Sequence, residues 1–159
     1  MKPSESLTKA FVLGRIMEFE ILDKAGHCYF GHIERVVNSI KSRHGENQTL
    51  IKLAYLHDMV EDELTTYQEL IDRGYSDEVI KSLKLLTRIK DMTYDEYIQN
   101  IINNADINAL KVKRADLEDN MNLSRLEIIT EQDVKRLEKR YIPSWYKINR
   151  AILKLESQG

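Results

Sequence analysis

His57 and Asp58 stand side by side in LAYLHDMVED, residues 53–62, and Glu61 and Asp62 follow one helical turn later. An imidazole next to a carboxylate offers nitrogen and oxygen donors to a cation, and two further carboxylates can take or give a proton. On a helix of 100° per residue, the spacing i, i+1, i+4, i+5 sets His57 with Glu61 and Asp58 with Asp62 on one broad face. Two other segments carry partners for them: His32 opens an amphipathic stretch, and Asp116 lies in KVKRADLEDN. Together His32, His57, Asp58 and Asp116 form a mixed donor set suited to Mn²⁺, Fe²⁺ or Zn²⁺, leaving positions for water and a substrate oxygen. The chemistry that follows is hydrolysis. His27 can stand in for His32, and Asp119, three residues after Asp116 on the same helix, can stand in for Asp116. Lys113, Arg114 and Arg125 are the cations nearest Asp116 in sequence and suit a second phosphate, with Arg125 and Lys113 ranked above Arg114.

The elements that must position these residues are helical. Residues 7–24 carry apolar positions at helical spacing, with Ser4 or Ser6 available as N-cap. AGHCYFG, residues 25–31, reads as a loop that delivers His32 to a helix over 32–43, where Ile33, Val36, Val37 and Ile40 repeat at i, i+3, i+4, i+7. Residues 49–60 predict a central helix, apolar almost all round. Thr65 with Gln68, and Thr66 with Glu69, both match a capping box ahead of YQELIDR, which stops at Gly74. Ser76, Thr93 and Asp106 cap the next three helices, the last over 107–120. Thr130 opens one or two closing helices over 130–157, interrupted at Pro143 by a kink or a new start. His44 beside Gly45 reads as a solvated helix-end residue on the dipole. Tyr29 and Phe30 read as core or loop anchors. The KRLEKR tract, residues 135–140, with Trp145 and Tyr146, has the spacing of a solvated helix face rather than of a nucleic-acid surface.

Composition agrees with an all-α, compact multi-helix fold in a single domain over residues 1–159. Apolar residues make up 42% and charged residues 31%, with only 6 Gly and 2 Pro, a balance that favours helices. With 24 Lys and Arg against 26 Asp and Glu the net charge is −2, so neither nucleic acid nor an anionic membrane is attracted in general. An anionic ligand must be held locally. The single Cys28 excludes an internal disulfide and a multi-cysteine zinc site. No apolar run reaches membrane-spanning length, and MKPSESLTKAF lacks a signal-peptide core; a cytoplasmic protein is expected.

Taken in order, His32, LHDMVED at 56–62, LTRIKDMTYDEYIQNI at 86–101 and VKRADLEDNMNLSRL at 112–126 resemble the HD-domain metal-dependent phosphohydrolases. Within them the chain is most similar to the hydrolase domain of RelA/SpoT-type guanosine bispyrophosphate hydrolases, over roughly residues 8–140. The resemblance implies an HD-domain fold with a divalent metal, typically Mn²⁺, on His32, His57, Asp58 and Asp116. It implies Glu61 and Asp62 as acid/base or water-positioning groups, and Asn120 in contact with a small phosphorylated nucleotide. Where that family presents an Arg-Lys pair around the guanine base, this chain has Asp23-Lys24, and Cys28 replaces the usual Pro before the loop tyrosine. Asp cannot supply the donor fork of Arg, so the motifs speak for hydrolysis more firmly than for one substrate. Guanosine 3′,5′-bispyrophosphate is the first candidate. The alternatives are an HD nucleotidase or other phosphomonoesterase, and a non-catalytic nucleotide-binding module on the same scaffold.

Overall fold

The computed structural model describes residues 2–158. Side-chain caps set most helix starts. Ser4 accepts from Leu7 N ahead of α1 (Glu5–Glu18), and Asn47 accepts from Leu50 N ahead of α3 (Gln48–Leu56). Thr66, Ser76 and Asp106 do the same for α4 (Tyr67–Asp72), α5 (Asp77–Leu86) and α7 (Ile107–Met121). Reciprocal capping boxes, Thr93 with Glu96 and Thr130 with Asp133, open α6 (Tyr94–Asn104) and α8 (Glu131–Arg136). Each cap satisfies an amide that the helix itself leaves bare. Helix α2 (Phe30–His44) has no such cap and grows out of the turn at Tyr29.

Three boundaries differ from the sequence expectation. Helix α1 stops at Glu18, because Glu20 adopts a positive φ of 51° and Asp23 folds the following loop by accepting the amides of Ala25 and His27 at 2.9 and 3.0 Å. An Asp side chain that mimics a backbone turn in this way competes with helix. An isolated antiparallel bridge, Leu22 with Cys28, closes that loop. The expected helix over 49–60 ends at Leu56, and residues 57–63 form successive turns, with Glu63 at φ 58°. Finally, a π-helical turn over Leu137–Tyr141 joins α8 to α9 (Ile142–Ser157), with Pro143 in the first turn of α9. Pro lacks an N–H to donate, and the wider turn re-pairs the backbone around it.

Helix α7 lies at the centre, packed against α9, α2, α3 and α5, while α3 also packs on α1 and α2. The all-α core is made where these helices meet: Val36 and Val37 of α2, Ile51 and Leu53 of α3, Leu110 and Leu117 of α7, Ile148 and Ile152 of α9, all essentially without exposure. Residues that crowd the core also fix the polar side chains beside them, and Lys113, Arg114 and Asp116 of α7 are buried as well. Among the described residues no helix is long and apolar enough to cross a membrane.

Candidate metal centre

His32 from the first turn of α2, His57 and Asp58 from the end of α3, and Asp116 from the middle of α7 converge, one ligand atom from each lying within 4.8 Å of all the others. The regular run of α3 ends at Leu56, and His57 follows it at helical dihedrals (φ −57°, ψ −29°) before the turns over residues 57–63. His57 Nδ1 donates to the Ala54 carbonyl at 2.7 Å, so Nδ1 carries a proton and Nε2 faces the site. That Nε2 is buried and has no hydrogen-bond partner, although Asp58 Oδ2 lies 3.1 Å and Asp116 Oδ1 3.4 Å away. His32 Nε2 faces the same carboxylates, 3.0 Å from Asp116 Oδ1 and 3.9 Å from Asp58 Oδ2. An orphaned imidazole nitrogen among two carboxylates and a second imidazole is a donor set that can hold a divalent cation.

The charges around the cluster are sorted. Burial works against ionised Asp116, yet Lys113, His32 and His57 hold it well below the ordinary carboxylate range. Burial likewise opposes the charge of Asp58, and His57 outweighs it. Both imidazoles pay the same burial penalty and are still raised, His57 by Asp58 and Asp116, His32 by its bonds to Asp116 and Asp119. Glu61 and Asp62 go the other way. Burial and then Asp58 raise Glu61 against the opposing bond from Arg88 N, and burial with the charges of Asp58 and Glu61 pushes Asp62 up to about 7. Carboxylates pushed apart in this manner divide into charge-holding and proton-handling groups.

His32, Asp58 and Asp116 of the cluster line a cavity of about 270 Å³, with His57 buried behind them and not part of the lining. Glu61 lines it, with Oε1 accepting from Arg88 N at 2.8 Å, whereas Asp62 is not among the lining residues. Asn120 lines the cavity and donates to Asp116 Oδ1 at 3.2 Å; Lys113 donates to Asp116 Oδ2 at 2.9 Å and lies 5.0 Å from the Tyr97 ring centroid. Lys24 and Arg125 are on the wall, and Lys24 reaches the Tyr141 hydroxyl at 2.7 Å across the opening. Arg114 bonds Asn149 at 2.9 Å and does not line the cavity.

Several groups emerge only from the fold. The Tyr29 hydroxyl donates to Asp58 Oδ2, so this residue is more than a loop anchor. Arg88, Tyr94 and Tyr97 reach the cavity from the 86–101 tract. The KRLEKR tract is not solely a solvated face, because Arg136 and Arg140 line the cavity while Lys135 and Lys139 are exposed. Their i, i+4 spacing was the available signal. His27 is exposed in its loop and lies outside the cluster, and Asp119 bonds the outer nitrogen of His32 instead of joining the four. His44 ends α2, but burial and then Lys111 and Arg114 hold it below the ordinary imidazole range, contrary to a charged residue on the dipole. Comparison of the chain with models of known protein families, and with curated proteins, gives no match.

Proposed function

We propose that the protein is a metal-dependent phosphohydrolase acting on a small phosphorylated nucleotide, with Mn²⁺ as the metal. The first candidate substrate is guanosine 3′,5′-bispyrophosphate, cleaved to release pyrophosphate from the 3′ position. The observation that carries the reading is the unpartnered His57 Nε2 at the centre of a His32, His57, Asp58 and Asp116 cluster, under a cavity edged with cations. A divalent cation supplies Lewis acidity to a phosphoryl oxygen and makes water nucleophilic near neutral pH. Glu61, raised by burial and facing the cavity, orients the attacking water and accepts its proton. Lys113 and Asn120 hold Asp116 from two sides, which keeps one of its oxygens aimed inward. Lys24, Arg88, Arg136 and Arg140 on the wall match a ligand bearing phosphate away from the reacting group. Tyr94 and Tyr97 form an aromatic side to the same space.

One observation favours a second reading, a phosphomonoesterase for a different nucleotide. Asp23 spends Oδ1 on the amides of Ala25 and His27, and Oδ2 faces Arg125 at 3.6 Å, so this lip offers a base no guanidinium fork from position 23. Purified Mn²⁺-loaded protein incubated with a panel of nucleoside mono-, di-, tri- and bispyrophosphates separates the two. Pyrophosphate from the bispyrophosphate supports the first reading and single phosphate the second. Absence of both products across the panel refutes hydrolysis.

A further inference from the structure

Asp119 lies three residues from Asp116 on α7, but its carboxylate sits on the opposite side of the His32 ring from the cluster. Its Oδ2 is 2.6 Å from His32 Nδ1, while His32 Nε2 faces Asp116. The two ring nitrogens diverge, so Asp119 cannot share a cation with His32. The same carboxylate is gripped by two guanidinium groups. Arg35 donates from Nε to Oδ1 at 2.7 Å and from Nη2 to Oδ2 at 3.3 Å. Arg125 places Nη2 3.3 Å from Oδ2 and 3.1 Å from the Asp119 carbonyl oxygen. With its side chain only 9% exposed, the Asp119 carboxylate is held between His32, Arg35 and Arg125.

We propose that Asp119 is the positioning residue of the metal centre, holding the proton on His32 Nδ1 and turning the Nε2 lone pair into the cavity, with Arg35 and Arg125 fixing Asp119 in turn. The assignment rests on the metal-centre reading above. A carboxylate on the outer nitrogen fixes the ring tautomer and orientation and strengthens the inner nitrogen as a donor. It also reassigns Arg125. A guanidinium held by Asp119 and facing Asp23 at 3.6 Å supports the metal ligand and the loop that carries Lys24. The distal charge of a substrate then falls to Lys24, Arg88, Arg136 and Arg140.

The test is Mn²⁺ affinity by calorimetry for the wild-type chain, Asp119→Asn and Arg35→Gln, with thermal unfolding in EDTA as the control for folding. In parallel, ¹⁵N NMR of the Zn²⁺-loaded protein follows the Nδ1 proton of His32. Asp119→Asn weakens Mn²⁺ binding by about 10- to 100-fold, and Arg35→Gln weakens it by a smaller factor. The Nδ1–H signal, sharp in the wild type, broadens or disappears in Asp119→Asn. Wild-type affinity together with an unchanged ring signal in a folded Asp119→Asn overturns the assignment. Should that variant unfold in EDTA, Arg35→Gln decides, and unchanged affinity there overturns it equally. Failure of the wild-type chain to bind Mn²⁺ or Zn²⁺ is a separate result, which overturns the metal centre and this assignment with it.

Discussion

His57 gives its two ring nitrogens different tasks: Nδ1 bonds the Ala54 carbonyl of its own helix, and Nε2 is left buried without a partner. Replacing it therefore removes a donor that no neighbour can supply. His57→Ala abolishes Mn²⁺ retention, whereas Glu61→Gln keeps the metal and lowers turnover by about 10²- to 10⁴-fold, the usual worth of a general base; metal content and turnover measured on the same samples check both. The proton count gives another prediction. His32 and His57 are held above the ordinary imidazole range by the facing carboxylates, against burial. Below their raised values they carry protons that a cation must displace, so affinity falls as pH drops and rises as pH climbs through them. Calorimetry in buffers of different ionisation enthalpy should show proton release on Mn²⁺ binding at pH 7. Binding without proton release contradicts the assigned charge states.

At the scale of elements, the turn after α3 is backed by a clamp between α1 and α4. Arg15 donates to both oxygens of Glu69 at 3.0 and 2.7 Å and to the Leu64 carbonyl at 2.7 Å, and Thr65 donates to the same carboxylate at 2.5 Å. The bond from Arg15 and then that from Thr65 hold Glu69 down at about 2 from an ordinary 4.5. A depressed carboxylate contributes stability above its unfolded value and loses it as pH falls through the folded one. Glu69→Gln thus costs about 1 kcal/mol near neutral pH, reduced by solvent screening of a partly exposed pair, and progressively less as pH falls from the ordinary 4.5 toward about 2; urea unfolding across that range checks it. The π-helical turn is the other telling element. Widening the helix there lets Arg136, Arg140 and Tyr141 share the cavity wall. Deleting Glu138 restores the α-helical period and withdraws Arg136 from the wall, so KM for a phosphorylated substrate rises about tenfold, close to 1.4 kcal/mol, with Mn²⁺ affinity unchanged. Neither feature was legible in the sequence. Ser4, Thr66, Ser76, Thr93, Asp106 and Thr130 announced helix starts through local hydrogen-bonding chemistry. The stop at Leu56 carries no Gly or Pro, and Pro143 marks an interruption of the closing helix without saying that a π turn precedes it.

For the whole molecule, a net charge of −2 conceals a local arrangement in which six cations, Lys24, Arg88, Lys113, Arg125, Arg136 and Arg140, line one cavity together with Asp58, Asp116, Glu61, Asp23 and Asp133. The all-α class was readable because helical periodicity is a local signal, whereas the grouping of His32, His57, Asp58 and Asp116 was expected from the order of several motifs along the chain and not from spacing within one of them. The wall was not readable. Arg88, from the loop after α5, meets Arg136 and Arg140 only in the folded chain; the i, i+4 spacing of the two arginines pairs them on one face but does not say what that face meets. The role of Asp119 was hidden for a related reason: its helical neighbourhood with Asp116 made it a stand-in ligand and says nothing of which side of His32 it takes. Hydrolysis as proposed depends on a single cation in the four-residue cluster. Its most direct test is turnover of guanosine 3′,5′-bispyrophosphate, or of the nucleotide found to be cleaved, during Mn²⁺ titration of EDTA-stripped protein. Activity should rise from zero in proportion to occupancy and saturate at one Mn²⁺ per chain; turnover in the stripped protein, or none at full occupancy, would contradict the claim.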